Sequence, residues 1–123
     1  MSKKILICDD DEGIRESLKL ILGDYYELIL ADHGEQCLEC LKVNKEIGLV
    51  FLDIKMPKIH GLEILEAIKK KRPEVKVVMV TGYQCVDTAS EATKRGASGY
   101  IIKPFKSTEI LESAKKNLGK SLK

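Results

Sequence analysis

The sequence lacks any long apolar run, since no stretch approaches the roughly 18 residues that a membrane-spanning helix needs. The apolar run 5–8 near the start reaches Asp9 too soon for a secretory signal peptide. A strong charge of one sign is also missing, because the formal net charge is +2. We therefore expect a cytoplasmic protein that contacts no membrane and does not itself bind nucleic acid.

A second C-x-x-C motif is missing too. The four cysteines are Cys8, Cys37, Cys40 and Cys85. Cys37 and Cys40 form the one C-x-x-C of the chain. The two histidines, His33 and His60, do not lie at a spacing that would complete a zinc site with it. The pair falls within a helical pattern, where cysteine behaves as a small buried hydrophobe. We interpret these cysteines as structural, with a cytosolic redox site as the alternative.

What the chain does contain is a regular alternation of short apolar runs with amphipathic segments. The apolar runs predict strands at 4–9, 26–31, 49–53, 75–81 and 100–103, with a loop at 44–48. Apolar stripes predict helices at 14–22, 34–43, 61–72, 86–95 and 110–118. Such alternation is typical of a doubly wound α/β domain with a five-stranded parallel sheet, for which the flavodoxin-like order 2-1-3-4-5 is the commonest solution. We expect residues 1–123 to form one such domain.

Polar residues stand at the carboxyl ends of four predicted strands. Asp9 and Asp10 belong to the first, Asp53 to the third, Thr81 to the fourth and Lys103 to the fifth. In the order 2-1-3-4-5 the first and third strands are neighbours, and ligands bind at the carboxyl ends of such strands. The sequence therefore predicts one rim where these groups meet.

The residue types at this rim indicate phosphoryl transfer. Clustered carboxylates repel one another unless a cation neutralises them, and a set of oxygen ligands without His or Cys suits Mg²⁺, with Mn²⁺ as a substitute. A lysine and a threonine hydroxyl can satisfy phosphoryl oxygens. A carboxylate can act as the nucleophile and form an aspartyl phosphate, and we assign that role to Asp53.

Several short motifs share their order and spacing with a known family. They are Ile7-Cys8-Asp9-Asp10, Asp53 with Met56-Pro57 and Gly61, Thr81-Gly82, Gly96-Ala97 and Lys103-Pro104-Phe105. Over nearly its whole length the chain resembles the receiver domains of two-component response regulators (CheY-like domains). The resemblance implies a switch protein that accepts a phosphoryl group from a histidine kinase or histidine phosphotransfer protein. It implies no enzymatic activity beyond the domain's own phosphorylation and dephosphorylation.

The resemblance also implies residue roles. Asp53 is expected to become the 4-aspartylphosphate, and Asp10 to bind Mg²⁺ directly. Asp9, Asp53 and the backbone carbonyl of Lys55 are expected to complete the metal site. Lys103 is expected to pair with the phosphoryl group and to precede a cis peptide bond to its proline.

The remaining implied roles concern switching. Thr81 is expected to bond the phosphoryl oxygen, and Tyr100 to change rotamer with it. The fourth helix, fifth strand and fifth helix would form the output surface toward a downstream protein or effector domain, in a monomer or a phosphorylation-dependent dimer. Lys55 and Tyr83 lie two positions past Asp53 and Thr81, and we expect their bulk to slow dephosphorylation.

The chain departs from the family pattern in places: Cys8 replaces the usual apolar residue at the end of the first strand, and His60 stands where an aspartate is common. We interpret His60 as a loop-surface residue, with a pH-sensitive contact as the alternative. Two other functions are considered. A haloacid-dehalogenase-like Mg²⁺-dependent phosphatase would use Asp9 as its nucleophile, although the chain lacks the further acidic pair that such enzymes use. A flavodoxin would need a phosphate-binding loop after the first strand, where this chain has four acidic residues.

Overall fold

A computed structural model describes residues 3–55, 60–82 and 86–119. Within these residues five strands alternate with five helices. The strands are β1 (Lys4–Cys8), β2 (Glu27–Ala31), β3 (Ile47–Leu52), β4 (Lys76–Thr81) and β5 (Gly99–Ile102). The helices are α1 (Glu12–Leu22), α2 (Gly34–Val43), α3 (Gly61–Lys71), α4 (Val86–Lys94) and α5 (Ser107–Leu118). All strand pairs are parallel and the order is β2-β1-β3-β4-β5, which confirms the predicted fold class.

The sheet carries a hydrophobic layer on each face. Side chains of α2, α3 and α4 pack with alternate strand residues such as Leu52 and Met79 on one face. Side chains of α1 and α5 pack with the intervening residues, such as Phe51 and Val80, on the other. β3 is buried along its whole length because β1, β4 and both helical layers surround it. No helix in the described part of the chain has the length and apolarity to cross a bilayer.

The start of β3 corrects the predicted loop at 44–48. Ile47 and Gly48 are buried strand residues, and Ile47 pairs with Lys4 of β1. A Cβ atom added to Gly48 would lie 2.9 Å from Cδ2 of Leu118, so this glycine allows close packing against α5 and does not mark a turn. Conversely, the predicted strands 4–9, 49–53 and 100–103 each end one residue earlier in the structure, so that Asp9, Asp53 and Lys103 follow their strands directly.

Both histidines cap helices. The Nδ1 atom of His33 accepts a hydrogen bond from the backbone N–H of Gln36 at 3.1 Å, and Nδ1 of His60 accepts one from Leu62 at 3.2 Å. The interpretation of His60 as a loop-surface residue is therefore incomplete, because this exposed residue satisfies one free N–H of the first turn of α3. The acceptor role requires a neutral imidazole.

The cysteines in the described ranges are packed in the core. Cys8 and Cys37 are fully buried and lie in the same hydrophobic cluster, against which the partly exposed Cys40 packs. A hydrogen bond with Cys37, together with burial, raises the pKa of the Cys8 thiol far above its ordinary range. Burial also raises the pKa of Cys40. Because the thiolate is the reactive form, this environment favours the structural interpretation of these three cysteines; Cys85 lies outside the described residues.

Candidate functional site

Backbone hydrogen bonds beyond the strand ends place the predicted site residues. The N–H of Asp9 donates to the carbonyl of Ala31, and the N–H of Asp53 donates to that of Cys8. The N–H of Lys103 donates to the carbonyl of Thr81 at 2.8 Å. Each residue that leaves a strand is thus still held to the end of the neighbouring strand, so the three side chains emerge at the same edge of the sheet.

The side chains of Asp9, Asp53 and Lys103 form a compact charged cluster at this edge. The Lys103 Nζ atom lies 2.8 Å from Oδ2 of Asp9 and 3.3 Å from Oδ2 of Asp53. Asp9 is 2% exposed and Asp53 is 5% exposed. One carboxylate oxygen from each of Asp9, Asp53 and the exposed Asp10 lies within 4.8 Å of the other two. The structure therefore brings together the predicted acidic residues and the predicted lysine.

The electrostatics of the cluster follow from burial and pairing. Burial raises the pKa of the Asp9 carboxyl, and the charge of Asp53 acts in the same direction. The Lys103 ammonium and the N–H of Asp11 oppose this shift but do not cancel it. For Lys103, burial alone would lower the pKa, but its bonds and charge attraction to Asp9 and Asp53 prevail and raise it. Lys103 is therefore a firmly charged cation between two crowded carboxylates.

The turn between β1 and α1 is held by a set of short hydrogen bonds. The N–H of Asp11 donates to Oδ1 of Asp9 at 2.9 Å, while the Asp11 carboxylate caps α1 by accepting from the N–H groups of Gly13 and Ile14. Nη1 of Arg15 donates to the backbone carbonyl of Asp9 at 2.8 Å. Asp11 thus stabilises the N-terminus of α1, and Arg15 holds the backbone of Asp9 from the second turn of the same helix.

The segment after β3 is shaped by Gly61. The N–H of Gly61 donates to the carbonyl of Ile54 at 2.8 Å. A Cβ atom at Gly61 would lie 2.3 Å from the backbone oxygen of Asp53, a separation that no side chain tolerates. α3 can therefore begin directly against the backbone of Asp53 only because residue 61 is glycine. The N–H of Lys55 donates to Oδ1 of Asp53 at 3.3 Å, so this carboxylate is held on both oxygens.

The two predicted switch residues lie on adjacent strands. Thr81, the last residue of β4, is fully buried and pairs with Ile102 of β5. Tyr100 pairs with Met79 and packs, partly exposed, against the cluster under α2, α3 and α4. The peptide bond between Lys103 and Pro104 is cis, as expected from the resemblance. Tyr83 and the Met56-Pro57 motif lie outside the described residues.

The donor set fits a hard divalent cation. The cluster of Asp9, Asp10 and Asp53 offers only carboxylate oxygens, the ligand type that Mg²⁺ prefers. Asp10 is exposed, which leaves room for the water ligands that Mg²⁺ usually retains. The residues present therefore suit the predicted metal.

Comparison with known proteins gives a consistent picture. The response regulator receiver domain family matches residues 5–115. Response regulator protein FleR of Pseudomonas aeruginosa is 35% identical over 114 residues, covering 91% of this chain and 24% of FleR. Sporulation initiation phosphotransferase F of Bacillus subtilis is 35% identical over 119 residues, covering 96% of this chain and 95% of that protein.

A solved structure agrees with these relatives. The crystal structure of a CheY-like response regulator receiver domain protein from Methanospirillum hungatei matches with a TM-score of 0.90 and 37% identity, covering 96% of this chain and 94% of the other. This chain thus spans about a quarter of FleR but nearly all of the shorter relatives. With its flavodoxin-like fold and its acidic rim, the chain belongs to the response regulator receiver domain family, which serves phosphorylation-based signalling.

Proposed function

We propose that Asp53 accepts a phosphoryl group from a phosphohistidine of a histidine kinase or histidine phosphotransfer protein. The observation that carries this proposal is the pairing of the Asp53 carboxylate with Lys103 at 3.3 Å, at the carboxyl end of the central strand. A carboxylate oxygen of Asp53 would attack phosphorus while the N–P bond breaks and the imidazole leaves with the electron pair. Lys103, whose Nζ donates to Oδ2 of Asp53, would lie beside the incoming phosphoryl oxygens and stabilise their negative charge.

The metal requirement follows from the carboxylates. Asp9, Asp10 and Asp53 would hold Mg²⁺ or Mn²⁺ together with the backbone carbonyl of Lys55. Such an ion would neutralise the clustered acids and the phosphoryl oxygens. Without it, an incoming anionic phosphoryl group would approach a cluster of three carboxylates, of which Lys103 is paired with two.

The switch would begin at Thr81. We propose that its hydroxyl moves toward the new phosphoryl group and that the Tyr100 ring follows it. The position of Thr81 at the end of β4, beside β5, supports this proposal. α4 is suited to respond, because Ala92 is the one buried side chain among its described residues 87–94. We propose α4, β5 and α5 as the output surface toward a downstream protein or effector domain, in a cytoplasmic monomer or phosphorylation-dependent dimer.

The phosphatase alternative with Asp9 as nucleophile finds no support. The family match covers residues 5–115 of this chain, and both Asp9 carboxylate oxygens already accept hydrogen bonds, from Lys103 and from the N–H of Asp11. Asp9 is therefore placed to orient Lys103. We propose that residues 1–123 act as one receiver domain that catalyses only its own phosphorylation and dephosphorylation.

Acetyl phosphate with Mg²⁺ tests the proposal directly. Intact-mass spectrometry should show one phosphoryl adduct on the wild type, and none on Asp53→Ala or on wild type treated with a chelator. Lys19→Ala, on the exposed face of α1, serves as a matched single-site control and should be phosphorylated normally. A phosphoryl adduct retained in Asp53→Ala would refute the assignment of the acceptor.

A further inference from the structure

Arg15 is a cation of α1 that contacts the backbone of the site and not its carboxylates. Its Nη1 atom lies 2.8 Å from the backbone oxygen of Asp9, and the side chain is partly buried. In the described part of the chain Arg15 makes no salt bridge with any acidic residue, although Asp9, Asp10 and Asp11 are all close in sequence. The contact is therefore specific for one carbonyl group.

That carbonyl belongs to the peptide unit that joins Asp9 to Asp10. Because a peptide unit is planar and rigid, a donor that fixes its oxygen also fixes the N–H and Cα of the next residue. Arg15 reaches this oxygen from the second turn of α1, and the N-terminus of that helix is itself anchored by the Asp11 cap. The orientation of Asp10 is thus tied to a rigid element.

Asp10 depends on this support more than the other two carboxylates do. Asp9 and Asp53 are held by Lys103 and by backbone N–H groups. The Asp10 carboxylate, in contrast, is exposed and has no hydrogen bond or ion pair with any residue that the structure describes. Among the described contacts, only those to the backbone of this segment restrain where the Asp10 side chain begins.

We propose that Arg15 is a positioning residue for divalent-cation binding, which aims the Asp10 carboxylate at the metal by fixing the Asp9–Asp10 peptide plane. The inference rests on the proposed function, since it assumes that Asp10 binds the cation. Residues that orient metal ligands from outside the ligand set affect metal affinity by about 10- to 100-fold. Arg15 fits this description, because it touches a ligand's backbone and not the cluster of carboxylate oxygens.

The charge of Arg15 alone would have the opposite effect. A guanidinium near the rim repels Mg²⁺, so its removal would tighten cation binding if through-space electrostatics were its only influence. Positioning predicts weaker binding after the same substitution. The sign of the change in Kd therefore separates the two roles.

The experiment is a Mg²⁺ titration of ¹⁵N-labelled protein, followed by amide chemical shifts, which give Kd without any phosphorylation. Arg15→Met, which has no donor, should raise Kd by about tenfold. Arg15→Lys retains a donor of similar reach, so its Kd for Mg²⁺ should lie between those of Arg15→Met and the wild type. Lys19→Met removes a cation one helical turn further on and should leave Kd unchanged or slightly lower.

The outcomes are distinguishable. An unchanged or lower Kd in Arg15→Met overturns the inference while leaving the proposed function intact, provided that the wild type binds Mg²⁺. A wild type without Mg²⁺-dependent shifts overturns both. Amide spectra and urea unfolding of the metal-free variants show whether they are folded. If Arg15→Met is unfolded, Arg15→Lys decides the question. A Kd of Arg15→Lys equal to that of the wild type, together with an unchanged amide shift of Asp10, would then overturn the inference.

Discussion

Lys103 illustrates how much of the site depends on single side chains. Its ammonium lies between the buried carboxylates of Asp9 and Asp53, which would otherwise repel each other with little water to screen them. The carboxylates in turn keep the lysine charged, because they raise its pKa against the effect of burial. Burial, with a smaller contribution from the charge of Asp53, leaves Asp9 with a raised pKa, which predicts a measurable effect on stability.

Ionised Asp9 should destabilise the metal-free protein. Since burial raises the folded-state pKa of Asp9 above its unfolded value, the folded state binds more protons there, and stability falls as pH rises through the folded pKa. We therefore expect the unfolding free energy of the wild type, relative to Asp9→Asn, to decrease as the pH rises from 3.8, the ordinary pKa of an aspartate, through the raised pKa of Asp9. Urea unfolding in the presence of a chelator measures this difference. A difference that stays flat or increases with pH would contradict the raised pKa.

Lys55 should affect how long a phosphoryl group persists. It is exposed, its N–H bonds the Asp53 carboxylate, and its side chain leaves the backbone next to the acceptor. If its bulk restricts the approach of water, Lys55→Ala should dephosphorylate several-fold faster than the wild type, and Tyr83→Ala should act in the same direction. The decay of acetyl-phosphate-labelled protein after removal of the donor gives the rates. Equal decay in all three proteins would show that neither residue shields the acyl phosphate.

At the scale of elements, the ends of helices and strands are fixed by specific contacts. The guanidinium of Arg72, just past α3, donates to the backbone carbonyls of Leu41, Asn44, Lys45 and Ile47. In the sequence, Arg72 is only the last residue of the predicted helix 61–72. The structure shows that Arg72 joins the end of α3 to the end of α2 and to the start of β3.

Substitution of Arg72 should therefore destabilise the protein far more than its surface ion pair would suggest. Arg72→Met leaves these carbonyls without their charged donor and should lower the unfolding free energy by about 3 kcal/mol. Arg72→Lys should recover only part of this loss, since an ammonium cannot match the planar fork of a guanidinium. Glu74→Gln removes the ion pair at 3.0 Å but leaves the carbonyl contacts, and should have little effect. Equal urea midpoints for Arg72→Met and Glu74→Gln would refute this account.

The junction of β3 with α3 should be equally intolerant of change. Gly61→Ala would force a Cβ atom against the backbone of Asp53, and we expect a loss of about 2 kcal/mol or more together with slower phosphorylation. Gly82→Ala is the matched control for stability, because a Cβ atom there would have no neighbour within 4 Å. Thermal unfolding compares the two. A stable Gly61→Ala variant would mean that α3 can shift away from Asp53 without loss.

At the scale of the whole molecule, metal binding and folding should be coupled. Because only the folded chain brings Asp9, Asp10 and Asp53 within 4.8 Å of one another, Mg²⁺ should stabilise the folded state, by about 2.7 kcal/mol at a hundred times its Kd. Asp10→Asn should remove most of this stabilisation. Its melting temperature without metal should equal or exceed that of the wild type, because one of the mutually repelling carboxylates is gone. Calorimetric melting with and without Mg²⁺ provides the test. Full Mg²⁺ stabilisation of Asp10→Asn would exclude Asp10 as a ligand.

The sequence by itself determined the alternation of strands and helices, the sheet order and the identity of the rim residues. The alternation and the rim residues are local features, because apolar runs, apolar stripes and polar residues at strand ends are visible in the order of amino acids. The sheet order follows from the alternation as its commonest solution. Helix α2 even begins and ends at the predicted residues, because its apolar stripe runs from the first turn to the last.

Only the tertiary structure decided the contacts between residues distant in the chain or between a side chain and a backbone carbonyl. Arg15 on Asp9, Arg72 on the end of α2 and Gly61 against Asp53 all depend on where the backbone of another segment lies. Backbone carbonyls and N–H groups are the same in every residue, so a sequence pattern does not show which of them a side chain will meet. The sequence thus specified which groups form the acidic rim at Asp53, and the fold specified how those groups are held in place.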